Sequence, residues 1–91
     1  GLLFIRRMQM NTRIALLSII VEDMECTNEM NAILHEYGQY IIGRMGIPYR
    51  EKHIALISVA IDASADVINA LTGKLGRLSG LSVKAVYSKQ N

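Results

Sequence analysis

One nine-residue pattern is written twice in this chain, as IALLSIIVE at 14–22 and as IALISVAID at 54–62. Ile14/Ile54, Ala15/Ala55, Leu16/Leu56 and Ser18/Ser58 are identical across the 40-residue offset, and the other pairs are conservative except Ile20/Ala60. Each run is continuously apolar, rich in Ile, Leu and Val, and far shorter than the ~20 residues a membrane helix needs. β-Branched enrichment favours strand over buried helix. A strand apolar on both faces is normally central in its sheet.

The segments downstream of the two runs repeat as well. A helical pattern leads to Gly38 and then to a strand-like stretch; a second helical pattern leads to Gly80 and another. Two βαβ units in tandem are the ferredoxin-like signature, and right-handed crossovers leave few topologies. The expected fold is therefore α+β: a βαββαβ sandwich with a four-stranded antiparallel sheet of order 4-1-3-2 and two helices on one face. The repeated runs are expected side by side at its centre, parallel to each other. The domain should occupy 12–88, with an N-terminal extension or processing remnant at 1–11, either disordered or extending a strand, and a C-terminal tail at 89–91.

Taken in order, the first strand is expected over about Thr12–Glu22 and the first helix over Glu25–Tyr37. Asp23 or Thr27 caps that helix. Cys26, Met30, Ile33, Leu34 and Tyr37 form its buried stripe, and Gly38 closes it as a left-handed glycine. The second strand spans Gln39–Ile47. Gly43 and Gly46 suggest a bulge or a close backbone approach there, and Pro48 stops it. The third strand is His53–Asp62. The second helix runs Ser64–Leu78, capped by Asp62 or Ser64, with Gly73 and Gly76 permitting close packing and Gly80 ending it. The last strand, Leu81–Tyr87, alternates, as an edge strand with one wetter face does.

Faces can be assigned by alternation. Ala15, Leu17, Ile19 and Val21, with Ala55, Ile57, Val59 and Ile61, are the bulkier set and belong under the helices. Ile14, Leu16, Ser18 and Ile20, with Ile54, Leu56, Ser58 and Ala60, then form an open face that is still apolar, with Ser18 and Ser58 neighbours at its middle. A chain of 91 residues with 51% hydrophobic content gains from covering such a face, because small domains bury only about 60–65% of their unfolded surface. A dimer or tetramer is expected.

A net charge of +2 does not make a nucleic-acid footprint by itself. The single Cys26 excludes an intrachain disulfide and fits a reducing, cytoplasmic setting. No membrane association is expected. No G-x-S-x-G, P-loop or G-x-G-x-x-G pattern occurs, so no catalytic residue and no cofactor is assigned. His53, His35 and Cys26 are weak metal candidates, since a site needs three or four ligands.

The stretch HEYGQYIIGRMGIPYRE at 35–51 gathers the ligand or interface candidates: Arg44, Tyr49, Arg50, Glu51, His35 and Tyr37. Arg44 interrupts an apolar strand and needs a carboxylate, an anionic ligand or water. Glu36 and Glu51 are the nearest acidic candidates.

This stretch, with ALTGKLGRLSGLSVK at 70–84, resembles the small "iron-only hydrogenase system putative regulator" family over about 12–87. Gly43-Arg44-Met45-Gly46-Ile47-Pro48-Tyr49-Arg50 and Leu71-Thr72-Gly73-Lys74-Leu75-Gly76 carry the resemblance. It implies an ACT-like, ferredoxin-like domain related in fold to the C-terminal domain of nickel-responsive repressors, and an association with [FeFe]-hydrogenase maturation or expression. It brings no ligand or catalytic residues with it. The glycine turn that many ACT domains place after the first strand is replaced here by Glu22-Asp23-Met24-Glu25. The expected function is that of a non-enzymatic regulatory or ligand-sensing oligomer, with a small-molecule effector and a hydrogenase-system protein as partners. The alternatives are an adaptor that docks on a maturation component and a metal-responsive transcriptional regulator.

Overall fold

A computed structural model describes residues 11–89. The expected termini, 1–11 and 89–91, lie outside the described residues apart from Asn11 and Lys89. The chain forms β1 (Arg13–Val21), α1 (Thr27–Glu36), β2 (Ile41–Tyr49), β3 (Ile54–Ala63), α2 (Ala65–Gly76) and β4 (Leu81–Tyr87). Single 3-10 turns fall at Met24–Cys26, Gly38–Tyr40 and Arg50–Lys52. The sheet order is β2-β3-β1-β4 and every pairing is antiparallel. This is the expected ferredoxin-like α+β sandwich.

The repeated runs are adjacent, but they are antiparallel rather than parallel. The cause is topological. A right-handed crossover through α1 returns β2 parallel to β1 one strand away. The turn after β2 then sends β3 back through the gap, opposed to both neighbours. Ser18 pairs with Ser58, and the register runs outward symmetrically, Leu16 to Ala60 and Ile20 to Leu56. A pseudo-two-fold axis therefore passes through the sheet between the two serines and carries each repeat onto the other.

The helix-side assignment holds. Ala15, Leu17, Ile19, Val21, Ile57, Val59 and Ile61 are buried, together with Met30 and Leu34 of α1 and Ile68, Leu71 and Leu75 of α2. Ser64 caps α2, its Oγ accepting from the Val67 N–H at 3.2 Å. Asp23 caps the turn before α1 by accepting from the Glu25 N–H at 3.0 Å; Thr27 does not cap, and its buried hydroxyl has no partner among the described residues.

Three local expectations change. Gly38 does not take a left-handed φ; among the described glycines only Gly80 does, at +82°. The chain continues from α1 into a 3-10 turn instead of stopping on a glycine. Pro48 does not end β2, which continues to Tyr49. β2 is an edge strand, and proline is tolerated where the missing N–H would face solvent. Gly73 and Gly76 permit no special closeness: an added Cβ would meet only Arg77 Nη2 at 4.0 Å or Val83 Cγ1 at 3.8 Å. The expected irregularity in β2 is present, as a register shift between Ile41 and Gly43.

Close approach occurs at Gly80. Its carbonyl accepts from the N–H groups of Glu22 at 2.7 Å and Asp23 at 3.1 Å, and a side chain there would overlap the Asp23 Cβ. The clasp ties the end of β1 to the loop before β4.

Candidate functional site

The registers place the open face row by row. Its middle row reads Met45, Ser58, Ser18, Lys84 from β2 to β4. Toward the Val21 end the next row is Ile47, Leu56, Ile20, Ser82; toward the other end it is Gly43, Ala60, Leu16, Val86. Met45 is 74% exposed and Ile47 and Val86 nearly as much, while Leu16, Ile20 and Leu56 are each close to half exposed. Seven-residue β4 contributes one charge to these rows, Lys84. Ser18, Ile20, Met45, Ile47, Leu56 and Ser58 line a shallow hollow at the centre. The surface is chemically suited to contact with another apolar surface. Two hydroxyls on its floor are the only polar side-chain groups of these three rows besides Lys84 and Ser82.

The sequence candidates are not brought together. The nine residues of β2 lie between Tyr40 and Arg50, and from Ile41 to Tyr49 alone an extended strand covers about 26 Å. At the far end the Tyr49 hydroxyl donates to Glu51 Oε2 at 3.2 Å. Arg50 and Glu51 lie in the next turn, and His53 closes it with φ +55°. At the near end Tyr37 packs on Tyr40, ring centroids 6.4 Å apart. Lys74 lies 5.2 Å above the Tyr37 ring and pairs with Glu36 at 2.8 Å. Its ammonium pKa is raised by that carboxylate first and by the Tyr37 hydroxyl second. His35 is exposed on the last turn of α1.

Arg44 pairs with Val59 and so lies on the helix side of β2, at the rim. Its Nη1 donates to Asn31 Oδ1 of α1 at 3.3 Å. Glu36 is engaged by Lys74 and Glu51 by Tyr49. Sequence reasoning misses Asn31 because a neutral amide carries no charge signal. It misses Lys84 and Val86 because the faces of β4 cannot be matched to those of β1 before the register is known.

Cys26 is buried at the start of α1; burial first, then the Asp23 carboxylate, pushes its thiol pKa up. Nine helical positions separate Cys26 from His35, about 13 Å, too far to share a metal with bonds of about 2.0–2.3 Å. Among the described residues no three His, Cys, Asp or Glu side chains are grouped to hold a metal ion, and no helix is long and apolar enough to cross a membrane.

The family described as "TM1266-like: Iron-only hydrogenase system regulator, putative" matches residues 13–85, from the first residue of β1 into β4. The chain belongs to this family. Among solved structures similar to this chain, the uncharacterized protein TM1266 from Thermotoga maritima is 37% identical, with a TM-score of 0.82 over 86% of this chain and 99% of that one. A formyltetrahydrofolate deformylase from Pseudomonas putida KT2440 is 15% identical, with a TM-score of 0.58 over 80% of this chain and 28% of that one. That likeness shows a shared fold alone. No curated protein sequence matches the chain.

Proposed function

We propose that this chain is a non-enzymatic regulatory domain of the iron-only hydrogenase system, acting in the cytoplasm by association across the open face of its sheet. The family description supports the system and the regulatory role. The observation that carries the mode of action is the group of exposed Met45, Ile47, Leu56, Ile20, Leu16 and Val86 on one contiguous face. Monomeric proteins rarely leave an apolar patch of more than a few hundred Å² uncovered without a use for it. Binding there is driven by apolar burial and needs no bond-making residue.

Leu56→Asp tests the reading. The residue stands on the side of the sheet away from the core, so the monomer fold should persist, as circular dichroism would report. In cells carrying an iron-only hydrogenase, regulation of that hydrogenase should be lost. A folded Leu56→Asp protein that regulates as the parent does would overturn the reading.

The adaptor reading has one observation in its favour. Among the described residues no strand pairs with the outer edge of β4, which is regular over Leu81–Tyr87 with neither proline nor bulge, and such an edge can accept an added strand.

A further inference from the structure

We propose that the open face is covered by a second copy of this chain, stacked sheet on sheet about a two-fold axis parallel to the strands. The inference rests on the reading of that face as the working surface and names its partner. Three observations carry it: relief, charge and area.

The relief is self-complementary. A two-fold parallel to the strands lays β2 over the second copy's β4 and β3 over its β1, keeping each row at its own level. Val86, among the most exposed apolar residues, then meets Gly43, where an added Cβ would find nothing within 4 Å. Leu16 meets Ala60 and Ile47 meets Ser82, while Ile20 meets Leu56 as the one bulky pair of the two outer rows. Ser18 meets Ser58, both small, at the centre. Large residues thus fall on small ones at both ends of the outer columns, as interdigitating sheets require.

Charge selects this axis over the other face-to-face choice. A two-fold perpendicular to the strands matches large with small equally well in the outer rows, with Leu16 against Ile20 as its one bulky pair, but it sets Lys84 against Lys84. Like charges in a partly desolvated contact repel. With the axis parallel to the strands, Lys84 meets Met45 and can lay its methylene stem on that flexible side chain while its ammonium reaches water at the sheet edge.

The area suffices. Four strands about 4.8 Å apart and seven to ten residues long, about nine on average, give a face of about 19 Å by about 27 Å, hence about 1,000 Å² over the two copies, which reaches the threshold for a specific interface.

The test combines mass with cross-linking. Sedimentation of the full 91-residue chain at micromolar concentration should give twice its 10.1 kDa mass. Val86→Cys and Gly43→Cys chains, mixed, should couple to each other through a short bis-maleimide spacer, and neither should couple efficiently to itself. Cys26 is buried and leaves a low background. Gly43→Leu adds a side chain where Val86 of the second copy would lie, on a Cβ that meets nothing of its own chain within 4 Å, and should weaken the dimer roughly tenfold or more.

A single-chain mass overturns the inference, whether the face then stays bare or is covered by residues 1–10. So does a dimer in which Val86→Cys couples to a Ser82→Cys chain and not to a Gly43→Cys chain, since that pattern belongs to the perpendicular axis. If Leu56→Asp abolishes regulation while the parent chain is monomeric, the face serves another partner: the regulatory reading stands and this inference falls.

Discussion

Leu16 and Leu17 are neighbours with the same side chain, yet Leu17 is fully buried beneath the helices and Leu16 is 49% exposed on the other side of the sheet. The same contrast runs along β1 and β3, one residue in, one residue out. The helix side is filled within the chain by residues of α1 and α2. The open side has the composition of an interior, and no described residue forms a second layer over it. An apolar strand pattern therefore reports that both faces are meant to be covered, and says nothing of whether the cover comes from the same chain.

Deleting the same atoms on each side separates the two faces most. Leu17→Ala should cost about 2–5 kcal/mol in denaturant unfolding, as buried Leu truncations do. Gly80→Ala strikes the clasp that holds the helical layer's loop to β1. A left-handed φ and the overlap with Asp23 together should cost about 1–3 kcal/mol; a Gly80→Ala protein as stable as the parent would mean that this loop moves freely. Leu16→Ala, measured at a chain concentration low enough to exclude association, should change stability by no more than about 0.5 kcal/mol. A loss equal to that of Leu17→Ala would show that the open face is covered within the monomer and would erase the contrast.

Labelling sharpens it further. Cys26 on the helix side should react with maleimide slowly, while a Ser58→Cys thiol on the open side of the dilute monomer should react fast. The Cys26 pKa is raised in the folded chain, so its neutral thiol is the favoured folded form. The resulting stability is fully present below the unfolded thiol pKa and is lost as pH rises through the higher folded value. A Cys26→Ala variant should therefore show a slightly flatter loss of stability on the alkaline side than the parent.

Sequence-level reasoning succeeds where a pattern is enforced by burial. Alternation around Ser18 and Ser58 names the residues under the helices, because a one-residue slip would turn the whole apolar set outward. It fails where the outcome depends on position in the sheet. Pro48 reads as a stop, but on an edge strand nothing is lost by the missing N–H. Gly38 and Gly80 look alike in sequence; only Gly80 is pressed against Asp23 and forced to a positive φ. Similar runs suggest a common direction for β1 and β3, whereas the pseudo-two-fold relates them by rotation. The stretch 35–51 looks like one site when written out, and an extended β2 pulls its ends apart. Arg44 needs a partner, as its charge demands, and finds the amide of Asn31.

The strand order has a consequence for how this chain can be made or cut. β3 lies between β1 and β2, and β1 lies between β3 and β4. Neither repeat contains two strands that touch, so each half, alone, has no sheet to form. The two repeats are not modules joined end to end; they are two combs whose teeth must mesh. Cleavage in the exposed Arg50–Lys52 turn should leave fragments that are each unstructured in isolation and fold only on each other, with the two serines meeting at the centre of the restored sheet.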